Sequence, residues 1–119
     1  TKMANQIAIC GAIAGACEAL TYAEKAGLDP ENMLSCISGG AAGSWQLSNM
    51  IPRVLKNDLN PGFFIKHQVK DLRIAEQEAA GSGAHLPVLD LVAAMYEQLL
   101  SAGDGELGTQ ALIKAYREG

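Results

Sequence analysis

From Thr1 to Ala26 small residues recur one helical turn apart, Ala4, Ala8, Ala12 and Ala16 on one line and Gly11, Gly15, Ala19 and Ala23 on the next. With no proline and no strand-like alternation, this stretch predicts one long helix stopped by Gly27, and its small-residue rows allow close approach of another helix. Nothing but Thr1 precedes Lys2 to act as a cap, so Thr1 reads as a point inside a longer helix. Asp29-Pro30-Glu31 then predicts a fresh start, with Asp29 as N-cap and Pro30 in the first turn of a short helix reaching about Ile37. Residues 38–44, Ser-Gly-Gly-Ala-Ala-Gly-Ser, break it. A helix over 44–57, interrupted near Pro52, follows, and 57–62 reads as a turn.

The second long helix is predicted from Phe63 to about Ala80, because Ile65, Val69, Leu72, Ala75 and Ala79 recur at helical spacing with charged residues on other faces. It ends in Gly81-Ser82-Gly83. Pro87 opens a helix to about Ser101 whose apolar stripe is Val88, Leu91, Val92, Met95 and Leu99, and Gly103 closes it. Thr109 is expected to cap a last helix with Leu112, Ile113 and Tyr116 on its buried edge. No segment argues for a strand. The expected fold is all-α, about six helices, with a long N-terminal helix packed on a helical bundle and one domain over residues 1–119.

Composition narrows the functions. Hydrophobic residues make up 49% and aromatic residues 5%, so the core is aliphatic, which suits helix packing. The net charge is -4 with no Lys/Arg cluster, which argues against a nucleic-acid partner. The apolar run 7–17 is too short to span a bilayer and meets Glu18, which argues against a membrane segment. Cys10, Cys17 and Cys36 fit neither a zinc site nor a disulfide framework, so reduced thiols and a cytoplasmic location are expected.

Four patterns carry candidate chemistry. Gly103-Asp104-Gly105-Glu106-Leu107-Gly108 matches the dinucleotide pattern G-x-G-x-x-G, but that fingerprint works by turning a strand into a helix, and here a helix precedes it; an inter-helix turn is the better reading. His67 and His85 have no ligand-spaced partners, so no metal is expected. Lys2, Asn5 and Gln6 lie three and four residues apart and share a helix face, which would aim an amine and two carboxamides at a carbonyl or hydroxyl. In partly apolar surroundings such an amine can exchange a proton near neutral pH, although the spacing alone also fits a solvated helix start. Lys70-Asp71 has the same two readings, a site or a wet face.

Together these stretches resemble the C-terminal domain of the 3-hydroxyisobutyrate dehydrogenase group of β-hydroxyacid dehydrogenases, which includes tartronate semialdehyde reductase and is related in fold to the 6-phosphogluconate dehydrogenase C-terminal domain. The likeness covers nearly the whole chain: Lys2-Met3-Ala4-Asn5-Gln6 is similar to the K-x-x-N-[N/Q] motif, residues 39–45 to a glycine-rich segment ending in Ser-Trp, and Phe63 with Lys70-Asp71-Leu72 to an F…KDL motif. Gly103-x-Gly105 with Ala111-Leu112 is similar to the closing signature. The resemblance implies that Lys2 is the catalytic lysine, that Asn5, Gln6 and Phe63 bind a small hydroxyacid or semialdehyde, and that Lys70, oriented by Asp71, reaches an NAD or NADP cofactor. It further implies an N-terminal Rossmann domain outside this chain, without which the chain is expected to be inactive, and a homo-oligomer. The chain departs from the family at Gly108 and Gln110, where Asp and Ser are common, and at Gln6, where many relatives carry Asn. A second reading is a non-catalytic helical dimerisation module of the same architecture. An imine reductase of this architecture is disfavoured, since such relatives generally place another residue at the lysine.

Overall fold

The computed structural model describes residues 1–117, and among them there is no named strand. Seven α-helices run in chain order: α1 Lys2–Lys25, α2 Pro30–Ile37, α3 Trp45–Asn49, α4 Ile51–Leu55, α5 Ile65–Ser82, α6 Pro87–Ser101 and α7 Ile113–Arg117, the last entered through a 3₁₀ turn, Thr109–Leu112. The expected count of about six is met when α3 and α4 are taken as the single interrupted helix read from the sequence.

Helix α1 packs against every other helix, and its buried side chains Cys10, Ile13, Cys17 and Leu20 form the centre of the core. By length and apolar composition it could cross a bilayer. Yet Glu18, midway along it, accepts a hydrogen bond from Tyr116 Oη at 2.8 Å, and its apolar face is covered by the chain's own helices, as a core helix requires. Its small-residue rows are covered only in part: Ala16 and Ala23 are buried, whereas Ala4, Ala8 and Gly15 are exposed. Gly27 ends the helix with a left-handed φ of 77°, and the Leu28 N–H returns to the Ala23 carbonyl at 2.9 Å.

Local signals place the shorter helices. The Asp29 side chain accepts from the Glu31 N–H at 3.3 Å, and Ser44 accepts from the Leu47 N–H at 3.0 Å. The break between α3 and α4 falls at Met50, not at Pro52, because a proline in the first turn of α4 gives up an N–H that the helix has no use for. Between α2 and α3 the chain folds so tightly that a Cβ on Gly43 would collide with the Ser38 carbonyl oxygen and stand 3.1 Å from that of Gly40. Both obstacles are backbone. Gly43→Ala is therefore expected to destabilise the protein by about 1–3 kcal/mol, seen as a lower urea midpoint with an unchanged slope.

Three expectations need correction. On α6 the buried stripe is Leu89, Val92, Ala93, Tyr96 and Leu99, while Val88 and Leu91 are 56% and 61% exposed. Both stripes have helical spacing, so periodicity could not choose; the choice is made by Tyr96, whose hydroxyl donates to the Thr109 carbonyl at 2.8 Å. Thr109 does not cap the last helix with its side chain: Gly108 holds the cap position, and Thr109 is buried with its N–H bonded to the Phe63 carbonyl at 3.0 Å. Helix α5 begins two residues later than expected, with Phe64 as its cap.

The glycine pattern at 103–108 explains that last shift. The free N–H groups of Ile65 and Lys66, in the first turn of α5, donate to the carbonyls of Leu107 and Gly105 at 2.9 and 3.1 Å, so this loop caps α5 from a distance. Lys66 adds an ion pair to Glu106 at 2.6 Å, and the Gly108 N–H reaches the Leu59 carbonyl at 2.8 Å. The stretch is a helix-capping connector, as the absence of a preceding strand implied.

Candidate functional site

The same connector fixes one wall of a cavity of about 570 Å³, which lies between α1, the α3–α4 pair and the start of α5. Phe63 and Thr109 stand together on that wall because their backbones are bonded. Opposite them, Asn5 and Gln6 enter from the first turns of α1, and Trp45 and Gln46 from α3. Ile9, Ile13 and Met50 give the cavity an apolar floor. Small-molecule sites have this character, an apolar enclosure with a few converging polar groups.

At the α1 end the polar groups form a chain. Asp71, on α5, has a side chain only 13% exposed; its Oδ1 lies 3.8 Å from Lys2 Nζ and its Oδ2 accepts from Gln6 Nε2 at 3.0 Å. A carboxylate only accepts, so it fixes the orientation of the Gln6 amide, whose Oε1 in turn faces the Asn5 amide nitrogen at 3.4 Å. The helical spacing of Lys2, Asn5 and Gln6 thus puts them on one face, and α5 supplies the anion that organises them. Lys2 itself is exposed, at 72% of its side chain, so the partly apolar surroundings expected for it are not provided by this chain.

Of the six residues singled out in the sequence, five therefore gather at one end of the molecule: Lys2, Asn5, Gln6 and Asp71 in the chain just described, and Phe63 on the cavity wall. Lys70 stands apart, exposed on α5. The carboxylate of Asp71 is engaged by Lys2 and Gln6 and not by Lys70, because consecutive helical residues point about 100° apart. Gln110, flagged as a departure near the pocket, is buried behind it: its Nε2 donates to the carbonyls of Asp58 and Asn60 at 3.0 and 2.9 Å. A Cβ on Gly108 would collide with Gln110 Oε1, so the two departures belong together.

The sequence did not mark Gln46, Arg53 or Gln68 as site residues and gave Thr109 only a capping role, yet all four lie on the cavity surface. Gln68 carried a signal, being a polar residue within the apolar stripe of Ile65, Val69 and Leu72; it is 2% exposed. Arg53 carried another, a lone charge among Ile51, Val54 and Leu55.

The remaining reactive groups lie elsewhere. Burial pushes the Cys10 thiol up to about 11 and that of Cys17 up to about 12, which leaves both as inert core residues. His67 packs on the rings of Phe63 and Phe64, with centroids 6.0 and 5.6 Å away. Among the described residues no three His, Cys, Asp or Glu side chains are grouped to hold a metal ion.

The helical chain thus links a lysine, a carboxylate and two carboxamides side by side, and the two carboxamides also line the cavity. Residues 1–116 match the sequence profile described as NAD-binding of NADP-dependent 3-hydroxyisobutyrate dehydrogenase, and the chain belongs to that family. An uncharacterised oxidoreductase of Bacillus subtilis is 47% identical over 116 residues, 98% of this chain and 40% of that protein. The 2-hydroxy-3-oxopropionate reductase of Escherichia coli is 35% identical over 114 residues, 96% of this chain and 39% of that protein. Among solved structures, the Mycobacterium tuberculosis 3-hydroxyisobutyrate dehydrogenase with L-serine superposes with a TM-score of 0.89 at 27% identity, covering 98% of this chain and 42% of that one. The chain thus spans about two fifths of the length of these relatives.

Proposed function

We propose that this chain is the helical substrate domain of a longer NAD(P)-dependent oxidoreductase that interconverts a small 3-hydroxy acid and its semialdehyde, with Lys2 as the proton donor and acceptor. The observation that carries the reading is the Lys2–Asp71–Gln6–Asn5 chain, whose Gln6 and Asn5 line the cavity. Relatives with this domain are oxidoreductases of the 3-hydroxyisobutyrate dehydrogenase and 2-hydroxy-3-oxopropionate reductase type.

The chemistry follows from the groups present. In reduction the Lys2 ammonium gives a proton to the carbonyl oxygen as negative charge develops there; in oxidation the amine takes it back from the hydroxyl. Asp71 aligns the lysine and the Gln6 amide, while Asn5 and Gln6 hydrogen-bond the substrate and Phe63 closes one side. Lys2 is exposed here, so the groups that would surround it come from outside the chain.

The residues present fit one edge of a nicotinamide dinucleotide and no more. Lys70 is an exposed cation on α5, suited to the cofactor's polar groups. The loop at 103–108, by contrast, gives the carbonyls of Gly105 and Leu107 to capping α5, as suits an inter-helix turn. When bound, the dinucleotide supplies or accepts a hydride. A Rossmann domain elsewhere in the enzyme would hold most of it, and the exposed Val88, Leu91 and Gly15 suit contact with further subunits. The unpaired thiols go with a reducing, cytoplasmic setting.

The test compares two forms. The full-length protein is expected to oxidise NADH or NADPH when given tartronate semialdehyde or methylmalonate semialdehyde, whereas this chain alone gives no turnover and no micromolar NADH isotherm in calorimetry. Folded full-length protein idle with both aldehydes and both cofactors would contradict the proposal.

A further inference from the structure

Arg53 is the one charged side chain on the cavity surface, among the described residues. Its guanidinium is held on two edges: Nε donates to Asp58 Oδ2 at 3.1 Å, and Nη2 to the Asn60 carbonyl at 2.6 Å. The group is therefore set in place before any ligand arrives, and among the described residues Nη1 has no hydrogen-bond partner. The turn it grips is pinned from behind by the two hydrogen bonds of Gln110 to the carbonyls of Asp58 and Asn60. Asp58 neutralises only part of the local charge, since Lys56 also acts on it alongside Arg53.

Gly62 completes the arrangement. It shares the cavity surface with Arg53, and an added Cβ would stand 3.8 Å from Nη1, an ordinary contact. Its φ is not in the left-handed region, so neither space nor backbone demands glycine there. What a larger side chain would do is cover Nη1.

Beyond this cation the cavity surface offers the amide of Gln68, itself 2% exposed, and that of Gln46, 9% exposed. The rest of the lining is largely apolar, from Ile9, Ile13, Trp45, Met50 and Phe63, so Arg53 is the group there that would tell an anionic end of a ligand from a methyl end. The volume of about 570 Å³ also lies within the range of sites for ligands larger than a four-carbon acid.

We propose that Arg53 is a specificity-determining residue whose free Nη1 binds a second anionic group, a carboxylate at the far end of the substrate from the carbon that reacts at Lys2. The substrate class is then a hydroxy-dicarboxylate or the carbonyl compound formed from its hydroxyl, which keeps both carboxylates. This rests on the cavity being the substrate site, as proposed above, but it can be tested without turnover.

Trp45 is the chain's single tryptophan and lines the same cavity, so its fluorescence reports occupancy. Malate and 3-hydroxybutanoate differ by a carboxylate in place of a methyl group and serve as the paired probes. Titrated into this chain, malate is expected to bind about tenfold more tightly, the effect of one charge-assisted hydrogen bond. Arg53→Met should abolish that preference and Arg53→Lys should keep part of it, with circular dichroism as the check on folding. Gly62→Val leaves both ties of Arg53 intact and should also reduce the preference, which keeps the proposal testable if Arg53→Met does not fold. Equal affinity for the two probes, no response to either, or a preference unchanged in Gly62→Val and a folded Arg53 variant would overturn it. A dianion preference in this chain combined with an idle full-length protein would instead sink the dehydrogenase reading and leave the Arg53 site standing.

Discussion

Replacing Lys2 by alanine in the full-length enzyme is expected to lower kcat by about 10²–10⁴-fold, the range a positioned general acid contributes. The fold should survive, because the Lys2 side chain is 72% exposed and makes one long ion pair, at 3.8 Å, with Asp71. On the proposed mechanism the loss should fall mainly on kcat, since the proton would move as hydride transfer proceeds while the cavity lined by Asn5, Gln6 and Phe63 is unchanged. Steady-state kinetics of NAD(P)H oxidation on wild type and Lys2→Ala separate the two parameters, and an unchanged kcat would favour the non-catalytic helical module.

Tyr96→Ala is expected to destabilise the domain by about 3–5 kcal/mol, because it removes a fully buried aromatic ring. It also orphans the Thr109 carbonyl, to which the phenol donates at 2.8 Å. Given a total stability on the order of 5–15 kcal/mol, a large fraction of the folded margin would be lost. Tyr96→Phe keeps the ring and loses one hydrogen bond, so about 1–2 kcal/mol is expected. Urea denaturation of the three proteins measures both steps. The smaller change bears on function too, since Thr109 and Phe63 are bonded through their backbones and share a cavity wall. Near-equal midpoints for all three proteins would contradict this account of the core.

Much of the fold was legible because its punctuation is chemical and local. Gly27, Asp29-Pro30, Ser44, Gly83 and Pro87 each end or begin a helix where a cap or a constrained φ does so in the structure. The errors lie where a distant partner decides. Two apolar stripes on α6 were equally periodic, and only the hydrogen bond from Tyr96 to the 3₁₀ turn selects one. Helix α5 starts at Ile65 because a loop forty residues away caps it, as the pairing of Lys66 with Glu106 across a separation of 40 marks.

The candidate site divides the same way. Lys2, Asn5 and Gln6 could be grouped from spacing alone, since they share one helical turn. That Asp71 joins them, and leaves Lys70 outside, depends on how α5 lies against α1. Arg53 reaches the cavity through the packing of α4 and the turn at 58–60, which no local pattern encodes.

The central claim, that this domain brings the proton-transferring amine to a hydroxyacid, is tested most directly by chemical rescue. Full-length Lys2→Ala should be nearly idle with the semialdehyde and NAD(P)H, and added methylammonium should restore turnover in a saturable way, while leaving wild type unaffected. Full activity of Lys2→Ala without any added amine would contradict it.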